Sequence, residues 1–90
     1  MAMKVDVVST TARLWGGEAT SVVVPAANGD LGILPGRQPV LAVLRPGVVR
    51  ITPTSGSVVT VDVTSGFVSV DEDAVTVVVE GADVLAENLR

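Results

Sequence analysis

The sequence predicts an all-β domain of eight to ten short strands, folded as a sandwich of two antiparallel sheets. Valine, whose β-branched side chain favours strands, dominates an apolar fraction of 48%. Several stretches alternate apolar and polar residues with a period of two, which is typical of half-buried antiparallel strands. Turn-forming residues separate these stretches at close to the spacing of about 8–12 residues that sandwiches and barrels show. No helical apolar period of useful length occurs before residue 80.

Four alternating stretches predict which side chains face the interior. In the first, MKVDV, the apolar residues Met3, Val5 and Val7 share one face, and Lys4 and Asp6 lie opposite. The later stretches VVRIT, VTVDVT and AVTVVVE place their apolar residues in the same manner. Their predicted inward positions are Val49, Ile51, Val59, Val61, Val63, Val75, Val77 and Val79.

Turn signals rich in glycine, proline and aspartate lie between the strands. They predict turns at Gly16-Gly17, Ala27–Asp30, Arg45–Gly47, Thr52–Ser57, Ser65-Gly66 and Asp71–Asp73. The last of these, an acidic cluster, is predicted to be a solvated hairpin tip and not a cation site. The arginines at positions 13, 37, 45 and 50 are scattered, and we expect each to be salt-bridged or solvated.

The last ten residues, GADVLAENLR, have a different pattern. Gly81 interrupts the final strand, Asp83 fits a helix N-cap, and Val84, Leu85 and Leu89 fit one helical face. An isolated helix of this length is marginal in water. We therefore expect a β-sandwich over residues 1–80 and a tail over residues 81–90 that is at most the start of a C-terminal helix.

The composition excludes several classes of function. The chain contains no histidine and no cysteine, which removes Ser-His and Cys-His catalytic pairs, thiolate metal sites and disulfides. A net charge of −4 disfavours a nucleic-acid-binding face. The N-terminus lacks the pattern of a signal peptide, and no apolar run reaches the length of about 18 residues that a membrane span needs. We expect no catalytic residue, metal site or cofactor.

The segment GDLGILPGRQP, at residues 29–39, is the least ordinary part of the chain. It places three glycines and two prolines around the apolar pair Ile33-Leu34. It is too broken for a regular element and too apolar for a loop that meets only water. Its glycines match neither GxGxxG nor GxxxxGK[ST], so they are interpreted as turn residues and not as a phosphate-binding loop.

With its flanks, this segment resembles the epsilon subunit of F-type ATP synthases. The family's signature is Gly-(Glu/Asp)-Leu-Gly-Ile-x-Pro-Gly-His-x-Pro, and the resemblance extends over VDVVSTTARLWGGEATSVVVPAANGDLGILPGRQPVLAVLRPGVVRI. The later stretch VTSGFVSVDEDAVTVVVEGA resembles the strand pair that ends the family's N-terminal domain. The resemblance implies a flattened sandwich of two five-stranded sheets, about ten strands in all.

The resemblance also implies a role and a set of contacts. This subunit sits at the foot of the central stalk on the gamma subunit, against the polar loops of the membrane c-ring. It carries no catalytic residue, and it couples ring rotation to gamma rotation at the cytoplasmic face of the bacterial plasma membrane. The implied c-ring contacts are Asp30, Leu31 and Gly29, and the implied gamma contacts are Ser9, Thr10, Arg37, Gln38 and Val40. Burial of Leu31, Ile33 and Leu34 under the sandwich edge is the structural alternative.

Two departures from the family limit what is carried over. The signature histidine is Arg37 here, which keeps a donor but is permanently charged. The family's C-terminal helical hairpin is missing, since LAENLR resembles at most its first turn, so we assign no inhibitory role and no ATP site. Two other functions stay open: a regulatory β-sandwich that binds a nucleotide, and an unrelated adhesion or scaffold module. The isolated domain is expected to be monomeric.

Overall fold

The computed structural model describes residues 2–9, 12–36, 38–80 and 83–87. Within these ranges the chain forms nine β-strands and no helix, so the all-β prediction is confirmed. The strands are β1 (Met3–Ser9), β2 (Arg13–Ala26), β3 (Gly29–Ile33), β4 (Val40–Leu44), β5 (Gly47–Pro53), β6 (Val59–Val63), β7 (Ser65–Asp71), β8 (Ala74–Glu80) and β9 (Asp83–Glu87).

The strands form two layers that share the long strand β2. The first sheet has the order β4-β7-β8-β1, and β1 pairs with the first half of β2. In the second sheet, the second half of β2 pairs with β3 on one edge and β5 on the other, and β6 and β9 follow β5. Counting β2 in both layers gives five strands in each, as the resemblance implied.

One strand pairing differs from the antiparallel pattern. Strand β1 runs parallel to β8, with Val5 opposite Val75 and Val7 opposite Val77. The other pairings between the described strands are antiparallel. A tight hairpin forces neighbouring strands to be antiparallel, but β1 and β8 are separated by most of the chain, so no hairpin constrains their direction.

The hydrophobic core lies between the two sheets and is built from the alternation seen in the sequence. All eleven predicted inward positions, from Met3 to Val79, are at most 3% exposed. No polar or charged side chain is buried among the described residues. The core is therefore purely apolar, and its stability comes from the burial of many valine side chains of about 1.5–3 kcal/mol each.

The turn predicted at Gly16-Gly17 is wrong, because both residues lie inside the continuous strand β2. A side chain at Gly16 would overlap the guanidinium group of Arg13. A Cβ at Gly17 would lie 3.2 Å from the ring of Trp15, which packs against the core. These glycines make space for two large neighbours on the strand. In the sequence alone, a glycine pair with this role looks the same as one that forms a turn.

The helix start predicted in the tail is also wrong. Residues Asp83–Glu87 form β9, which pairs antiparallel with β6 at the edge of the second sheet. A helix of one or two turns is marginal in water, whereas the free edge of β6 offers a row of backbone hydrogen-bond partners. The neighbouring residues 81, 82 and 88–90 lie outside the described ranges.

Candidate functional site

The first five residues of the unusual segment form a strand and not a loop. Ala27 and Asn28 make the turn between β2 and β3, and β3 begins at Gly29. Asp30 lies opposite Pro25 on β2 and points away from the core, with 71% of its side chain exposed. The structure therefore presents this carboxylate on a rigid, hydrogen-bonded hairpin, where its position is better defined than on an irregular loop.

The other residues predicted at this corner are less accessible. Leu31 lies opposite Val24, is half-buried and packs against the core. Gly29 is half-buried, and Ile33 is fully buried at 0% exposure. Leu34, by contrast, is 60% exposed just after β3. Asp30 is thus the residue of this strand whose functional group is freely presented to a partner.

Arg45 is the charged neighbour of Asp30, and the sequence did not indicate this proximity. Its backbone N–H donates to the carbonyl oxygen of Pro25 at 2.8 Å, and its Nε–H donates to the carbonyl oxygen of Ala26 at 3.0 Å. Its terminal guanidinium nitrogen lies 3.8 Å from the Oδ1 atom of Asp30, which is too long for a hydrogen bond. The guanidinium is therefore held beside the carboxylate without being bonded to it.

A groove extends from this charged pair across the outer face of the second sheet. Its apolar walls come from Val23, Pro25, Pro46 and Val48, and Arg50 on β5 completes it. Gly47 permits the groove to be narrow, because a Cβ at this position would lie 2.8 Å from Cβ of Pro25. We call the set of Asp30, Arg45 and Arg50 with these walls the charged corner.

Gly36, in the part of the signature segment that follows β3, is tied to the β7–β8 turn of the first sheet. The N–H of Gly36 donates to Oδ1 of Asp73 at 2.7 Å, and the backbone N–H of Lys4 donates to the carbonyl oxygen of Asp73. Asp73 lies in the β7–β8 turn with φ of 62°. The acidic cluster is therefore a hairpin tip, as predicted, but one of its carboxylates also anchors the loop after β3.

The residues predicted to contact gamma lie on or beside β1 and β4. Ser9 ends β1, and its hydroxyl accepts a hydrogen bond from the backbone N–H of Ala12 at 3.1 Å. Gln38 is exposed before β4, whereas Val40 is half-buried against the core. Thr10 and Arg37 lie outside the described residues.

A row of apolar residues crosses the outer face of the first sheet, and sequence reasoning missed it. Val43, Phe67, Val78 and Val8 lie opposite one another in a single row across β4, β7, β8 and β1. Val43 is 65% exposed and Phe67 43% exposed, and Leu41, on the same side of β4, is 70% exposed. We call these five residues the apolar row. The signal for this row in the sequence is the presence of apolar residues at the outward positions of alternating strands.

The described part of the chain shows no arrangement suited to covalent or acid–base chemistry. Its acidic side chains do not form a group of three or more that would hold a metal ion. No helix in the described ranges has the length and apolarity required to cross a bilayer. What the surface offers is two binding chemistries, one apolar and one charged, on opposite faces of the sandwich.

Comparison with known proteins agrees with this architecture. The family model described as "ATP synthase, Delta/Epsilon chain, beta-sandwich domain" matches residues 2–84. The ATP synthase epsilon chain of Neisseria meningitidis serogroup C is 42% identical over 81 residues, which cover 89% of this chain and 58% of that relative. The ATP synthase epsilon chain of Micrococcus luteus is 41% identical over 80 residues, which cover 89% of this chain and 88% of that relative.

Solved structures share the fold at low sequence identity. A chain of the Euglena gracilis mitochondrial ATP synthase, in an OSCP/F1/c-ring structure, superposes with a TM-score of 0.86 at 16% identity, covering 93% of this chain and 54% of that one. A chain of the Tetrahymena thermophila mitochondrial ATP synthase, in a central stalk and c-ring structure, gives 0.78 at 19% identity, with 98% and 73% covered.

The matched lengths differ between the Neisseria relative and the family model. The chain spans a little over half of the Neisseria relative, at 58% of its length. The family match, in contrast, covers nearly every residue of this chain, and it includes both the charged corner and the apolar row. On these grounds the chain belongs to the family of ATP synthase delta/epsilon chain β-sandwich domains.

Proposed function

We propose that this chain is a non-catalytic central-stalk subunit of an F-type ATP synthase, which couples the gamma subunit to the membrane c-ring during proton-driven ATP synthesis. The observation that carries this proposal is the apolar row on an otherwise chemically inert sandwich. Contiguous exposed apolar surface on a small protein marks a place where a partner binds. Membership of the delta/epsilon chain family supports assigning that partner to an ATP synthase.

Gamma is the partner that we assign to the apolar row. Val43 and Phe67 form its more exposed end on β4 and β7, and the half-buried Val78 and Val8 continue it across β8 and β1. An apolar centre with a polar rim is the usual anatomy of a stable protein interface. Of the predicted gamma contacts, Ser9 ends β1 and Val40 begins β4, the strands at the two ends of the row, although Val40 is half-buried against the core. Thr10 follows Ser9 in the sequence, and Arg37 and Gln38 shortly precede Val40.

The c-ring is the partner that we assign to the charged corner. Asp30 offers a carboxylate from a rigid hairpin, and the half-buried Gly29 and Leu31 support it from either side. The corner is on the opposite sheet from the apolar row, so that both partners can bind at once. The subunit would then be peripheral to the cytoplasmic face of a bacterial plasma membrane, attached through the ring and not inserted, and monomeric when isolated.

A binding assay with purified gamma and detergent-solubilised c-ring tests this function. We expect the wild-type chain to bind both partners, Asp30→Lys to reduce binding to the ring alone, and Phe67→Asp to reduce binding to gamma alone. Asp71→Lys, an equal charge change at an exposed position of β7, is the control for ring binding. A wild-type chain that binds neither partner would overturn the proposal.

A nucleotide-binding regulatory sandwich is the second candidate, and the charged corner is the observation that favours it. Arg45 and Arg50 line a groove with apolar walls, an arrangement able to take a phosphate and a base. Isothermal titration calorimetry with ATP separates the two functions. Measurable heat that disappears in Arg45→Gln and Arg50→Gln would favour the nucleotide, and its absence in the wild-type chain would exclude this candidate.

A further inference from the structure

We propose that Arg45 is a second recognition residue at the charged corner, which therefore fits a partner loop that presents a cation beside a hydrogen-bond acceptor. The acceptor would be a backbone carbonyl or a carboxylate that faces Arg45, while the cation faces Asp30. This inference rests on the proposed function, because the loop is assigned to the c-ring. The partner loop would then make two contacts, one with Asp30 and one with Arg45, which fix its orientation. A simply basic surface would make only the first.

Arg45 is built into the corner by two hydrogen bonds. Two of its N–H groups, the backbone N–H and Nε–H, are bonded to consecutive carbonyl oxygens on β2, at Pro25 and Ala26. The guanidinium plane is thereby restricted before any partner arrives, so little side-chain entropy remains to be lost on binding. An arginine that is merely solvated would not be oriented by its Nε atom.

The terminal N–H donors of Arg45 remain available to a partner. Its terminal nitrogen stands 3.8 Å from the Oδ1 atom of Asp30, and the two side chains are 52% and 71% exposed. At this distance and exposure the pair is weak and screened by solvent. A guanidinium has five N–H groups in a planar fork, and the four that are not used by Nε are oriented for a carbonyl or carboxylate.

The local charge of the corner is positive. The corner holds two arginines, Arg45 and Arg50, and one aspartate, so it is positive although the chain has a net charge of −4. A partner that carried only cations would gain attraction from Asp30 and repulsion from both arginines. Complementarity between potentials sets the specificity of an interface, and a mixed corner is complemented only by a mixed loop.

The test measures the affinity of the full 90-residue chain for detergent-solubilised c-ring by biolayer interferometry, at about 50 mM salt to limit screening. The variants are Asp30→Asn, Arg45→Gln and the double variant. Arg13→Gln is the matched control, because Arg13 is also an exposed arginine beside an aspartate, Asp6, on the other sheet. We expect Arg45→Gln to weaken binding roughly 3- to 10-fold and Arg13→Gln to leave it unchanged within about twofold.

The double variant tests whether the two residues bind as a unit. We expect it to be weaker by less than the product of the two single effects, since neighbouring contacts couple. Arg45→Lys retains the charge but loses the fork, so we expect an affinity between wild type and Arg45→Gln. Thermal melts identify any variant that fails to fold. If Arg45→Gln is such a variant, the affinities of Arg45→Lys and Arg50→Gln are compared with wild type in its place.

The outcomes separate this inference from the proposed function. If Arg45→Gln binds the ring more tightly than wild type, Arg45 only competes for Asp30 and the two-point contact is refuted. If Arg45→Gln behaves like Arg13→Gln while Asp30→Asn weakens binding, the inference fails and the proposed function stands. If wild type shows no ring binding, or Asp30→Asn has no effect, the assignment of the corner to the ring fails first.

Discussion

The two outer faces of the sandwich differ in chemistry, although the strands behind them follow the same alternation. On the first sheet, the outward positions of neighbouring strands align Val43 with Phe67 and make an exposed apolar row. On the second sheet, outward positions carry Asp30, Arg50 and Thr60 beside the exposed Val23 and Val48. One face thus offers an apolar row, and the other combines charged groups with apolar walls.

This difference teaches that the core and the surface of the domain were shaped by different requirements. The inward positions are interchangeable apolar residues, since any close-packed set of valines holds the sheets together. The outward positions are not interchangeable, because the two most exposed apolar strand residues, Leu41 and Val43, lie on one face and the arginines of the corner on the other. The proposed binding of two partners of different chemistry would explain this separation, and each prediction below acts on the core or on one face.

The largest effect is expected from Gly66→Ala, because it would destabilise the whole sandwich and with it both outer faces. Gly66 has φ of 147°, and a Cβ at this position would overlap the carbonyl oxygen of Val78 on β8. We expect a loss of about 3 kcal/mol or more in the free energy of unfolding, because the clash is with backbone that cannot move away cheaply. Gly32→Ala is the control, since no atom lies within 4 Å of its Cβ position. Equal melting temperatures for the two variants would contradict this account.

Next in size is the effect of Phe67→Asp on gamma. A charge within the apolar row must be desolvated against an apolar partner, so we expect the affinity for gamma to fall roughly 10- to 100-fold. Binding to the c-ring should not change. Thr60→Asp, at an outward position of the second sheet, provides the control. A gamma affinity that tolerates Phe67→Asp would remove the row from the interface.

The pair Val77→Ala and Val43→Ala makes the same chemical change in the core and on the apolar row. Val77 is 0% exposed, so its truncation should cost about 1–3 kcal/mol of unfolding free energy. Val43 is 65% exposed, and its truncation should cost less than about 0.5 kcal/mol while weakening gamma binding. Denaturant titrations of both variants check the first quantity. Similar stability losses would mean that Val43 is buried in solution.

Ionic strength should distinguish the two faces without any mutation. Raising salt from about 50 mM to about 200 mM shortens the screening length, and we expect it to weaken c-ring binding several-fold. Gamma binding through the apolar row should change by less than about twofold, because it depends on apolar burial. The same chain in the same buffers serves as its own control. Equal salt dependence for both partners would mean that the faces do not differ as proposed.

The smallest effect is expected at the Asp73 anchor of the signature loop. Asp73 and Glu72 both have positive φ, at 62° and 50°, but only Asp73 bonds to the N–H of Gly36. We expect Asp73→Gly to be less stable than Glu72→Gly by about 0.5–1.5 kcal/mol, the usual net value of one such bond. Amide exchange at Gly36 should be faster in Asp73→Gly alone. No difference in exchange would show that the bond does not hold the loop.

The fold was predictable from the sequence wherever a local pattern decided it. The alternation identified eleven inward positions between Met3 and Val79 correctly, because strand geometry directs successive side chains to opposite faces. The buried residues of β2, β3, β4 and β7 were not among them. Of the turns predicted at Ala27–Asp30 and Asp71–Asp73, the structure has turns at residues 27–28 and 72–73, with the remaining residues in β3 and β7. Gly16-Gly17 and the tail were not, since a glycine pair serves a turn and a crowded strand equally well, and a short tail takes the structure that its neighbour offers.

The site was predictable only in part. The resemblance pointed to Asp30, and the structure places this residue at an exposed corner. The proximity of Arg45 to Asp30 depends on the β4–β5 turn meeting the β2–β3 hairpin, a contact between segments that are 15 residues apart in the sequence. The apolar row depends on the register of four strands, and register is not encoded in any one of them.

The sequence by itself determined the fold class, the apolar interior and the absence of histidine and cysteine chemistry, because composition and the two-residue period act locally along each strand. Only the tertiary structure decided which outward residues become neighbours. The pairing order and register of the strands brought Val8, Val43, Phe67 and Val78 into one row. They also brought Arg45 beside Asp30. The chemistry of the surface depends on which residues are neighbours, and the long-range pairing of the strands decides this.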